Sequence, residues 1–150
     1  VSRNNYNRKP KSSIIYTPVA LAEFLHELLR NAATFRQILD PAIGTGRLTD
    51  PWYDDDVIVV GCDIRECTPR CDKFYQGKFE DIITDCLTHD LNRRCIDLVL
   101  CNPPFNGAPG KRLYPEVFLD HIFSAYGATI PTVMFVPMGF RLNQRKRSKR

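Results

Sequence analysis

A chain of 150 residues, 43% hydrophobic and 25% charged, has the make-up of one ordinary globular domain, long enough to bury a core. Its apolar runs are too short to span a bilayer, and no charged-then-apolar leader opens it, so a soluble, cytoplasmic protein with no membrane partner is expected. The net charge of +4 hides an asymmetry: ten of the 21 cations lie in residues 1–11 and 141–150, which hold no acid, so the remaining eleven face all 17 acids and the middle carries −6.

The basic ends suit either a polyanionic partner or solvated tails. Six cysteines do not make a disulfide framework in this setting. Cys62 and Cys101 fall in apolar runs, where a thiol behaves as a small hydrophobe. Cys67 and Cys71 lack a second pair to complete a metal site, and Cys86 and Cys95 lack ligand spacing, so no metal is expected.

In chain order, residues 1–13 read as a basic, flexible segment, with order beginning near Ile14. Thr17-Pro18 reads as an N-cap followed by proline in the first turn. Leu21, Leu25, Leu28 and Leu29 then repeat at helical spacing, which predicts an amphipathic helix over 18–30. Gln37-Ile38-Leu39 leads as a strand into Asp40-Pro41-Ala42-Ile43-Gly44-Thr45-Gly46, where two glycines allow a sharp turn and close approach to a ligand. Thr49 stands where a dinucleotide-binding loop would place its third glycine, which disfavours a nicotinamide-dependent oxidoreductase.

Val57–Asp63 is a second apolar strand ending in an acid, either a solvated strand-end Asp or, at its spacing from Asp40, one that grips ribose hydroxyls at the strand tip. Residues 64–80 show no clear periodicity, and Asp81–Leu87 is expected to be the third strand. The fourth is Asp97–Asn102, closed by Pro103 and Pro104, neither of which can donate to a ladder. The turn after it offers the Asn102 amide oxygen and the Pro103 carbonyl as acceptors and the Phe105 ring as a flat face. Together they suit a planar group carrying an amino nitrogen. Asn106–Arg112 reads as a flexible basic loop, either a flap over substrate phosphates or a plain connection. A helix starts at Pro115, carries His121 as a surface or packing residue, and ends at Gly127. Thr132–Pro137 is the fifth strand.

Asn102-Pro103-Pro104-Phe105 resembles the catalytic motif of amino-group methyltransferases, above all the DNA adenine-N6 methyltransferases. Asp40-Pro41-x-x-Gly44-x-Gly46 is similar to that family's methyl-donor loop, and Tyr16-Thr17-Pro18 to the element that closes over the donor. The resemblance covers residues 16–137, in the family's order with the donor motif first. It implies an α/β, Rossmann-like class I methyltransferase fold, a mostly parallel sheet flanked by helices and truncated after strand five.

The cofactor implied is S-adenosylmethionine. It would be held by Tyr16, Thr17, Pro18, Asp40, Pro41, Ala42, Gly44, Gly46 and Ile64, with Asp63 at the ribose. Asp85 and Cys86, seventeen and sixteen residues before Asn102, would bind the donor's adenine, a better match than Asp81. Asn102, Pro103, Pro104 and Phe105 would hold a flipped adenine. The partner implied is DNA, in a prokaryotic, plasmid or phage setting with restriction–modification. Residues 14–140 form the catalytic domain, and 141–150 a basic tail or the start of a missing region. Members normally continue into two more strands and a target-recognition domain, so a fragment, or a minimal enzyme relying on a partner, is expected. Glutamine-N5 protein and guanine-N2 RNA methyltransferases carry related motifs and stay open as alternatives, as does a non-catalytic donor- or DNA-binding subunit.

Overall fold

A computed structural model describes residues 15–86, 91, 94–105, 107–108, 112–137 and 140, leaving aside the side chains of 84–86 and 107–108. The expected basic ends, 1–13 and 141–150, lie outside the described residues, as do Asn106, Pro109, Gly110 and Lys111 of the expected loop.

The centre is a five-stranded sheet of β1 (Gln37–Asp40), β2 (Ile58–Asp63), β3 (Lys73–Gln76), β4 (Leu98–Cys101) and β7 (Thr132–Met134), in the order β3-β2-β1-β4-β7. Every neighbouring pair is parallel. A separate antiparallel pair joins β5 (Gly107–Ala108) to β6 (Arg112–Leu113). Among the described residues three α-helices complete the α/β fold: α1 (Val19–Ala32), α2 (Phe79–Cys86) and α3 (Tyr114–Tyr126). Among the described residues no helix is long and apolar enough to cross a membrane.

The central strands are apolar because both faces of the sheet are covered. All four residues of β1 and of β4 are buried. The period-two alternation sends Ile38, Val59, Leu98 and Leu100 to one face, where they meet Ile43, Leu48, Trp52 and the Leu25 and Leu29 side chains of α1. Leu39, Val60, Cys62 and Val99 point to the other, against Phe79 and Ile82 of α2 and Ile122 and Tyr126 of α3. Two side-chain caps hold the strand starts in register: Asp97 Oδ2 accepts from Arg36 N and Gln37 N at 2.9 and 3.2 Å, and Asp72 Oδ2 from Val59 N at 2.7 Å.

The third strand is not where the sequence pattern put it. Residues 79–86, overlapping the expected strand 81–87, form α2, because Phe79, Ile82 and Ile83 repeat at helical rather than alternating spacing and pack on the sheet. Glu80 and Asp81 sit in its first turn, where acids favour the helix dipole. The strand is Lys73–Gln76 instead, an edge strand whose ends are exposed and whose Phe74 and Tyr75 are only half-buried, so it lacks the apolar run of its neighbours. The first helix begins at Val19 with Pro18 at the cap position and no capping bond from a side chain, so Thr17 is not its N-cap. The second, fourth and fifth expected strands are shorter than expected by a residue or more at their ends.

Candidate active site

Strand order reverses beside β1: the chain runs outward through β2 and β3 on one side and through β4 and β7 on the other. In an open parallel sheet the connections then leave on opposite faces, and a crevice opens at the carboxyl ends of β1 and β4. A cavity of about 830 Å³ lies there, within the range of cofactor pockets. Its wall includes Tyr16, Thr17, Asp40, Pro41, Ala42, Gly44, Asp63, Ile64, Asn102, Pro103 and Pro104, gathered from separate stretches of the sequence.

Asp40 ends β1 and is 1% exposed. Its Oδ1 accepts from Ala42 N at 3.0 Å. Burial pushes its carboxyl up to about 7 from 3.8; the Ala42 hydrogen bond opposes this, and the nearby Asp63 charge adds to it. The loop after it is stitched to β2: Ile43 N donates to Cys62 O at 2.9 Å, and Gly44 N to Asp63 Oδ2 at 2.9 Å. The left-handed turn at Gly44 (φ +54°) and Gly46 (φ +85°) needs glycine. Gly46 is not part of the cavity wall; a Cβ there would meet Pro69 Cβ at 3.3 Å. The loop also lies close over Gly61, where a Cβ would fall 2.4 Å from Ile43 Cδ1.

Asp63, at the tip of β2, is held by Arg65. Its Oδ1 accepts from Arg65 N (2.9 Å) and Nε (3.1 Å), and its Oδ2 from Arg65 Nη2 (3.1 Å) besides Gly44 N. The bond to Asp63 raises the Arg65 pKa above its ordinary value. Ile64, between them, is 63% exposed and offers an apolar surface to the cavity.

Asn102 follows β4. Its Nδ2 donates to Ile15 O at 2.9 Å and to Thr17 Oγ1 at 3.1 Å. A carbonyl oxygen can only accept, so the Ile15 contact fixes which end of the amide is nitrogen. Both amide hydrogens are thereby spent on the Ile15–Thr17 segment, which leaves Oδ1 as an acceptor, and Pro103, next in the chain, lines the same cavity. Thr17, 3% exposed, faces Asn102 rather than the helix it precedes. Tyr16 stands over the loop with the Arg47 guanidinium 5.4 Å from its ring.

Besides Gly46, two groups of expected residues are not brought to the wall. Pro18 and Phe105 adjoin it in sequence without lining it. Asp85 and Cys86 lie in the last turn of α2 rather than at a strand tip, and their side chains are outside those described. The turn after β3 and the start of α2, Gly77-Lys78-Phe79-Glu80, line the cavity instead, and the sequence pattern missed them. Gly77 N donates to Asp63 O at 2.9 Å, carrying the chain from β3 past the acid. The far wall comes from β6 and α3: Arg112, Tyr114, Val117, Phe118 and His121. His121, expected on the surface or in packing, therefore faces the cavity.

The arrangement can hold a cation or a neutral donor against Asp40, hydroxyls at the tip of β2, and an amino group on the acceptors after β4. Among the described residues no group of three or more acidic, cysteine or histidine side chains could hold a metal ion. No protein-family model and no curated protein matches the chain.

Proposed function

We propose that this domain is an S-adenosylmethionine-dependent methyltransferase acting on the N6 amino group of adenine in DNA. The observation that carries the reading is the Asn102 amide, whose hydrogens are committed to Ile15 O and Thr17 Oγ1 so that its oxygen remains as an acceptor. Oδ1 and the Pro103 carbonyl are two acceptors for the two N–H bonds of a primary amine. They stand on the same cavity as the buried acid Asp40.

The donor fits the chemistry of the wall. Asp40 is a buried carboxyl balanced near neutrality, and a cationic ligand would draw it into its charged form. Bound there, the donor supplies an electrophilic methyl group on a sulfonium. The chain's residues do the rest by position: Asn102 and Pro103 orient the amine lone pair, and Asp40 holds positive charge in place. No covalent bond to the protein is needed. An adenine in duplex DNA reaches such a turn only when flipped from the stack, at a cost of a few kcal/mol. Arg47, Lys78 and Arg112 line the cavity, Arg112 paired with Asp120, and cations at a site's wall suit a polyanionic substrate.

Incubation of the protein with methyl-labelled donor and DNA, ribosomal RNA or protein acceptors tests the reading. Label recovered as N6-methyladenine supports it. Label found in RNA or protein instead assigns the site to a different amino-group acceptor.

A further inference from the structure

Asp63 has a nearly buried side chain, 6% exposed, and a carboxylate offers about four acceptor positions. All four are filled. Main-chain N–H groups of Gly44 and Arg65 take two, and the Arg65 guanidinium takes the other two through Nε and Nη2. The main-chain donors are fixed by the loop and by the strand end. The guanidinium is on a side chain 44% exposed and can rotate into water. Nη2 lies 3.5 Å from where a Cβ would stand on Gly44, so the guanidinium covers the stretch of loop that glycine leaves open.

A vicinal diol donating both hydroxyls to Asp63 needs two acceptor positions, and the two that can be released are those held by Arg65. We propose that Arg65 is a displaceable plug on a diol-binding acid: it satisfies Asp63 in the empty site, and a ribose 2′,3′-diol binds by driving it off. The inference rests on the adenosyl-donor reading above. Without such a partner, the buried Asp63 charge would stand poorly compensated. With it, any ligand must replace two charge-assisted hydrogen bonds to gain the site. A ribose with both hydroxyls replaces both; a ribose lacking them replaces neither. Arg65 therefore sets the cost of opening the diol site, a cost that a ligand with both hydroxyls meets and repays and that a ligand without them leaves untouched.

Calorimetric titration of S-adenosylhomocysteine, adenosine and 2′,3′-dideoxyadenosine into wild type, Arg65→Ala and Arg65→Met (which keeps an unbranched stem) tests this. Both variants are expected to bind the two diol ligands about fivefold tighter than wild type, the size of one partly exposed ion pair. The dideoxy ligand should show no gain. In the wild type, the Arg65 Nε–H resonance should be protected from solvent exchange in the free protein and lose that protection on saturation with S-adenosylhomocysteine. Unchanged or weaker diol binding in the variants, an equal gain for all three ligands, or protection that survives saturation overturns the plug. If none of the adenosyl ligands binds wild type or either variant, the donor reading falls and the plug with it. Binding without a diol-dependent gain sinks the plug alone.

Discussion

Replacing Asp40 by asparagine should make the protein more stable and disable it at once. Asp40 is 1% exposed and its carboxyl is raised to about 7 from an ordinary 3.8. Between those two values the folded protein keeps a proton that the unfolded chain has lost, so stability falls as pH rises through the window and levels off above about 7. At about 1.4 kcal/mol per pH unit, the full window amounts to about 4 kcal/mol. The asparagine side chain would not titrate, and its oxygen can still accept from Ala42 N, as the Asp40 Oδ1 does at 3.0 Å. The stability advantage of Asp40→Asn should therefore widen by about 2–3 kcal/mol between about pH 5 and pH 8. Urea denaturation of both proteins at the two pH values reads this directly. On the proposed reading the same ionisation would govern the donor: its affinity for wild type should rise as pH climbs towards and past 7, whereas Asp40→Asn should bind weakly and without that rise. A stability gap that stays constant with pH would refute the argument that burial holds Asp40 near neutrality.

Three further outcomes follow from particular contacts. Thr17→Val removes one of the two acceptors of the Asn102 amide, so turnover should drop about tenfold with little change in donor KM, the pattern of lost positioning. Gly61→Ala drives a methyl group into the Ile43 side chain, and the forced shift of the Asp40–Gly46 loop should cost about 1–3 kcal/mol in urea denaturation. Phe79→Ala, in the first turn of α2, empties a position 3% exposed that stacks on Phe118 at 5.8 Å; a loss of about 3–5 kcal/mol is expected, and a loss below about 1 kcal/mol would contradict the packing of α2 on α3.

Elements buried on both faces were the legible ones. Leu98–Cys101 and Val59–Cys62 are runs without a charge because helices or loops cover each side, and their ends are marked by Asn-Pro-Pro and by Asp63. The loop between Asp40 and Gly46 was legible because its backbone needs glycine at positive φ. The edge strand Lys73–Gln76 was not, since a half-buried strand ended by polar residues carries little pattern. Its misplacement drew the third strand onto Ile82-Ile83, a β-branched pair that reads as strand until Phe79 is counted with it at helical spacing. Thr17 shows a different limit. An N-terminal Thr-Pro reads locally as a cap, yet its hydroxyl serves Asn102, 85 residues away, and no local pattern reports such a partner. Arg65 went unnoticed for the same reason: a cation in a charged connection has no signature until Asp63 is seen beneath it.

The most direct test of the account is nucleoside mass spectrometry on DNA from a methylation-deficient host expressing either this chain or its Asn102→Ala variant. The account predicts N6-methyladenine with wild type and none with the variant, while the purified variant still binds S-adenosylhomocysteine. N6-methyladenine at equal levels with both proteins would contradict it, because the turn after β4 would then have no part in holding the amino group.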